Sequence, residues 1–114
     1  CHTVLTGLTV LDAQDGRKFT SLVRSDVWMR NYTDEEMERY VASGDAFDKA
    51  GAYAVQNREF HPVARIEGCY ASVMGLPVCE VARLLGEIGL PPLQSPIPFC
   101  ESLMGGQCPL IERR

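Results

Sequence analysis

Two runs of strand-forming residues separated by a five-residue turn, Asp12–Gly16, constrain this chain more than any other feature. The first, Thr3 to Leu11, reads Thr-Val-Leu-Thr-Gly-Leu-Thr-Val-Leu. Its β-branched richness and partial alternation predict a strand with both faces largely covered. The turn offers Gly16 for the backbone position that needs a positive φ. The second run, Arg17 to Met29, sorts by alternation into two faces. Phe19, Ser21, Val23, Ser25 and Val27 share one, and Leu22, Arg24, Asp26 and Trp28 share the other. The pair predicts a long β-hairpin.

At 114 residues there is room for one domain or part of one. Apolar residues make up 46% and charged residues 23%, the balance of a foldable soluble chain and not of a disordered or coiled-coil one. The net charge of −4 lacks the broad cationic footprint that duplex nucleic acid requires, so no nucleic-acid partner is expected. Charge, Gly or Pro breaks every apolar run well short of the ~20 residues that span a bilayer. The N-terminus, Cys-His-Thr-Val, has neither the basic nor the apolar region of a signal peptide, and it lacks an initiator Met, which raises the expectation of a processed or partial chain. Five cysteines at 1, 69, 79, 100 and 108 form no Cys-x-x-Cys. They are read as scattered thiols of a reducing cytoplasm and not as zinc ligands.

Thr33-Asp34-Glu35-Glu36 starts a helix: Thr33 caps it, Glu36 closes a capping box, and acids occupy the positive end. Met37, Tyr40 and Val41 form its predicted buried stripe, and Ser43-Gly44 ends it. Ala46 to Gln56 reads as a loop entering a short helix with Asp48 near the cap. Pro62–Ile66 and Cys69–Met74 predict a second hairpin turning at Glu67-Gly68. Gly75-Leu76-Pro77 opens a last helix carrying Val78, Val81, Leu85 and Ile88 on one face, stopped by Gly89. The division expected is a domain over residues 1–90 and a Pro/Gly-rich irregular tail over 91–114.

Chemistry concentrates in one place. Asp48, Lys49, Gly51, Tyr53 and Gln56 combine small residues, which let a ligand approach the backbone, with a cation for phosphate and a carboxamide that both donates and accepts. Spacing alone favours a plainer reading, a solvated Lys–Asp loop ahead of a tightly packed helix with Gln56 merely exposed. His2 and His61 stand alone as surface or packing residues, and no Walker A or Gly-x-Gly-x-x-Gly pattern occurs.

Ser43-Gly44-Asp45 followed by Asp48-Lys49-Ala50-Gly51-Ala52-Tyr53-Ala54-Val55-Gln56 closely resembles the signature of the Maf family of nucleotide pyrophosphatases. Ile66-x-Gly68-x-Tyr70, Val73-Met74-Gly75-Leu76-Pro77 and His2-x-Val4-x-Thr6 match in the same order, so the resemblance runs from about His2 to Leu85. It implies an α/β fold, a mixed sheet flanked by helices as in the Maf and inosine-triphosphatase-like architecture, of which only the C-terminal half is present. The implied activity is hydrolysis of a nucleoside triphosphate to the monophosphate and pyrophosphate with Mg²⁺ or Mn²⁺. The Lys-Ala-Gly-Ala-Tyr-x-x-Gln form resembles the branch acting on dTTP and UTP, with Gln56 reading the pyrimidine edge and Asp48 and Lys49 shaping and charging the pocket.

The family's phosphate loop, Ser/Thr-x-Ser-Pro-Arg-Arg, its metal-binding Glu and its Ala-Asp-Thr segment with the catalytic Asp do not occur in this sequence. By the resemblance they belong upstream of Cys1, so no catalytic or metal-ligating residue is assigned here. Asn57 replaces the usual Gly after Gln56, and Cys69 stands where Asp or Ser is common; both read as drift. A homo-oligomer or a partner supplying the missing half is expected. The alternative is a non-catalytic nucleotide-binding or assembly module derived from the same fold.

Overall fold

The structure, a computed structural model, describes residues 1–108. Strand β1 (His2–Leu11) runs antiparallel to β2 (Lys18–Met29), pairing Thr6 with Val23 and Val10 with Phe19. Gly16 closes the turn at φ 75°, with its N–H donating to the Asp12 carbonyl. Strand β3 (Val63–Glu67) adds antiparallel to the far end of β2, Ile66 opposite Val27, with a bulge after Trp28. The sheet order is therefore β1-β2-β3.

One face of this sheet carries the packing. Helices α2 (Tyr70–Met74) and α3 (Val78–Glu87) lie on the side that presents Val23, Ser25 and Val27. Two polar contacts pin them: Thr6 Oγ1 to Ser72 Oγ at 2.8 Å, and Ser21 Oγ donating to Glu80 at 2.6 Å. The other face is open. Leu5, Leu11 and Leu22 are 61%, 55% and 67% exposed, so the expectation that the first strand has both faces covered fails. An antiparallel ladder is satisfied with one buried face, and no described residue packs on the second.

Helix α1 (Asp34–Ala42) begins as predicted, with both halves of the capping box formed between Thr33 and Glu36. Its predicted stripe narrows to one residue. Tyr40 is buried in a small core with Ala46 and Phe60, its ring stacked on Phe60 at 4.4 Å, while Met37 and Val41 remain exposed.

Three further expectations are corrected. The short helix predicted at the end of residues 46–56 is absent; two 3-10 turns, Asp45–Asp48 and Ala50–Ala52, precede an irregular stretch instead. Gly51 at φ 76° and Ala52 at φ 61° explain this, because two successive left-handed residues cannot continue a helix. The second hairpin is also absent: residues 70–74 are helix α2. Gly68 at φ 134° passes so close to β2 that a Cβ there would sit 2.6 Å from Ser25 Oγ and 2.8 Å from its Cα. Ser25 Oγ then accepts the Cys69 N–H at 2.9 Å, and the Cys69 sulfur accepts from Ser72 N at 3.4 Å as a helix cap.

The third correction concerns the tail, where Ile97–Met104 form helix α4. Pro96 and Pro98 sit at its start, where a missing N–H removes no helix bond, and Gly105 ends it at φ 73°. Cys100 of α4 is buried with Cys69 and Ala71, a second small core that Val23, Val78 and Met104 flank. The stripe predicted for α3 is half-buried, and its fully buried residues are Cys79 and Leu84. Residues 109–114 of the predicted tail lie outside the described residues.

Candidate functional site

The loop after α1 is organised by one carboxylate. Tyr40 Oη donates to Asp45 Oδ2 at 2.6 Å, Lys49 Nζ donates to Oδ1 at 3.4 Å, and Asn57 Nδ2 donates to Oδ2 at 3.4 Å. Tyr40 Oη in turn accepts the Ala54 N–H at 2.9 Å, and Asn57 Oδ1 accepts the Phe60 N–H at 2.8 Å. Residues 45, 49, 54 and 57 are thus tied to the buried ring of Tyr40 despite the irregular backbone between them. The Tyr40 hydrogen bond, followed by the charge of Lys49, holds the Asp45 carboxyl below its ordinary range against partial burial. Burial, then the neighbouring Asp45, pushes the Tyr40 phenol up. Lys49 is held cationic above its usual value, first by its 2.7 Å hydrogen bond to Asp48 and then by the charges of Asp45 and Asp48.

This scaffold projects three of the five predicted residues onto one wall. Lys49, Tyr53 and Gln56 line a cleft of about 300 Å³ whose opposite wall is Ser72–Gly75, with Val4 and Thr6 of β1 between them. Tyr53 Oη lies 2.8 Å from His2 Nε2, and the two rings meet edge-to-face at 5.7 Å. Burial raises the Tyr53 phenol, so it stays protonated. Asp48 and Gly51 are not on the cleft wall: the Asp48 side chain is 80% exposed beside Lys49, and Gly51 supplies the left-handed turn that delivers Tyr53.

Sequence reasoning passed over four residues of this arrangement. In the sequence Asp45 shows only as part of a motif, and Tyr40 reads as core, which hides its hydroxyl. His2 reads as a lone residue, and only the register of β1 beside the loop brings it to Tyr53. Asn57 is not neutral drift either, since a glycine makes neither of its two side-chain hydrogen bonds. Cys69 likewise occupies a helix N-cap, the position where Asp and Ser are favoured for the same acceptor role.

A divalent cation finds no ready ligand set here. Among the described residues no group of three or more His, Cys, Asp or Glu side chains is placed to hold a metal, and the two carboxylates nearest the cleft already bind Lys49. No helix of the described residues is long and apolar enough to cross a membrane.

The family model for Maf-like proteins matches residues 1–88, and the match takes in both walls of the cleft. The chain belongs to the Maf-like family. Among curated relatives, the dTTP/UTP pyrophosphatase of Dehalococcoides mccartyi (strain ATCC BAA-2266 / KCTC 15142 / 195) is 47% identical over 91 residues, covering 80% of this chain and 41% of that protein. The dTTP/UTP pyrophosphatases of Dictyoglomus turgidum (strain DSM 6724 / Z-1310) and Geobacter sp. (strain M21) are each 46% identical over 88 residues, covering 77% of this chain and 46% of theirs. The chain therefore spans less than half the length of these relatives. The expected α/β architecture, a partial Maf-like fold with helices against the sheet, holds.

Proposed function

We propose that this chain is the base- and phosphate-recognising portion of a nucleoside triphosphate pyrophosphatase acting on dTTP and UTP. One observation carries the reading: two motifs far apart in sequence, the Lys49–Gln56 segment and the Ser72–Gly75 segment, form the two walls of a single cleft. The names of the relatives supply the substrate class.

In this reading the chain binds and orients. Lys49, fixed as a cation by Asp45 and Asp48, receives a phosphate oxygen. The Gln56 carboxamide offers a donor to O4 and an acceptor to N3–H of thymine or uracil. Tyr53, tethered to His2, lines the same cleft. Hydrolysis adds a water oxygen to the α-phosphorus and breaks its bond to the bridging oxygen, with pyrophosphate leaving. The general base for that water is assigned to residues that this sequence does not contain. The Mg²⁺ or Mn²⁺ that the resemblance implies does not fit the donors described here, and no step is assigned to it. The remaining half of the fold comes from a longer polypeptide or a partner chain. The five free thiols suit a reducing cytoplasm.

Pyrophosphate release from dTTP and UTP with Mg²⁺ or Mn²⁺, measured beside equilibrium binding of the same nucleotides, tests this. Release that Lys49→Ala abolishes supports the enzyme. Binding without release, in the presence of a chain carrying the Ala-Asp-Thr segment, favours the non-catalytic module instead.

A further inference from the structure

β3 ends the sheet, and no described residue hydrogen-bonds to its outer edge. A slot of about 400 Å³ runs along that edge. Residues 63–66 of β3 form one side of it and residues 102–105, the last turn of α4, the other. Side chains of a strand alternate between faces, so four successive residues lining one slot means that the slot faces the strand's edge. A free edge beside a wall of side chains is the geometry that accepts an added strand.

The lining also states what the strand carries. Arg58, His61 and Arg65 border the slot and no carboxylate does. Arg58 has no ion-pair partner among the described residues, whereas Arg65, braced 3.9 Å over the Trp28 ring, is also paired at 3.4 Å with Glu67 of the same strand. Ile66, Tyr70 and Leu103 provide the apolar part.

We propose that the β3–α4 slot is a docking site for an extended segment of a partner polypeptide, one in which acidic residues alternate with apolar ones, paired to β3 as a fourth strand. Backbone hydrogen bonds to β3 hold it, the unpaired Arg58 reads its acidic positions, with Arg65 exchanging its Glu67 partner for one of them, and Ile66 and Leu103 receive its apolar ones. Nucleotide recognition in the Lys49 cleft is not required for this interaction.

The test uses the chain and a fluorescein-labelled heptapeptide of alternating Glu and Val, read by anisotropy at low salt. The acidic peptide is expected to bind at least tenfold more tightly than its Lys/Val counterpart. N-methylation of alternate amides on one edge should abolish binding, and methylation of the other edge should leave it intact. Arg58→Glu, an exposed substitution whose folding is checked by circular dichroism, should reverse the preference between the two peptides. Binding that ignores N-methylation would reduce the effect to charge attraction and overturn the proposal, as would absence of binding by the unsubstituted chain. Displacement of the peptide by inorganic pyrophosphate would assign the slot to a small anion. Sedimentation showing a dimer that Arg58→Glu disrupts would assign it to a second copy.

Discussion

Gln56 borders both the Lys49 cleft and the slot along β3, at the end of a segment tied down at Asp45, Ala54 and Asn57. On the proposed function, Gln56→Glu replaces a donor by a second acceptor. One unmatched polar edge costs about 1–3 kcal/mol. Turnover of dTTP and UTP is therefore expected to fall roughly 10- to 100-fold, with CTP losing less because it presents a donor where uracil presents an acceptor. Measurement of kcat/KM for UTP and CTP on both proteins decides this, and an unchanged ratio removes the base-reading role. Tyr40→Phe is a cleaner probe of the scaffold. It strips the acceptor from the buried Ala54 N–H and the donor from Asp45, for an expected loss of ~1–3 kcal/mol in urea unfolding. Asp45 also sets an acid limit. Its folded-state pKa lies below the ordinary 3.8, so its contribution is complete above that value and is lost as pH falls through the lowered one. Melting temperature should drop on the acid side of pH 4, and less steeply in Asp45→Asn, although Glu36 and Asp26, lowered in the same direction, retain their shares.

At the scale of elements, the joint between β3 and α2 is the least forgiving part of the chain. Gly68→Ala would force a Cβ into Ser25 and the Arg24 carbonyl, both belonging to a paired strand that cannot move aside. A loss of about 2–4 kcal/mol is expected. Gly16→Ala meets nothing within 4 Å and bears only the cost of its left-handed φ, about 1–2 kcal/mol. Parallel urea titrations separate the two, and equal losses would contradict the close approach at Gly68. The cap of α2 follows the same logic. Cys69→Ser keeps a short acceptor for Ser72 N and should stay within ~1 kcal/mol of the parent, whereas Cys69→Val removes the acceptor and should cost about 1 kcal/mol more than Cys69→Ser.

Taken whole, the described residues extend over 54 × 28 × 22 Å, with two small cores and an open apolar face on the sheet. Leu5 and Leu22 lie on that open face, Leu22 opposite Gly7, where no side chain shields it. Exposed apolar surface of this kind drives association. Sedimentation velocity should show mass rising with concentration, and Leu22→Glu should shift the chain toward monomer. A monomer at every concentration would mean that the open face is tolerated in water.

The sequence by itself determined the local features. The long hairpin and its turn, the capped start of α1 and the Gly89 stop all follow from alternation, capping chemistry and glycine's access to positive φ, which act over a few residues. It also carried the family motifs, and with them Lys49, Tyr53 and Gln56. Tertiary structure decided the rest. Residues 70–74 have the composition of a strand, yet Gly68 and the Ser25 hydroxyl turn them into a helix, because a cap and two buried side chains outweigh a β-propensity worth at most ~1 kcal/mol. Asp45, Asn57 and His2 join the scaffold of the cleft only because the fold brings them to Tyr40, Lys49 and Tyr53. Hydrogen bonds spanning 51 residues, as between His2 and Tyr53, leave no periodicity in a sequence to be read.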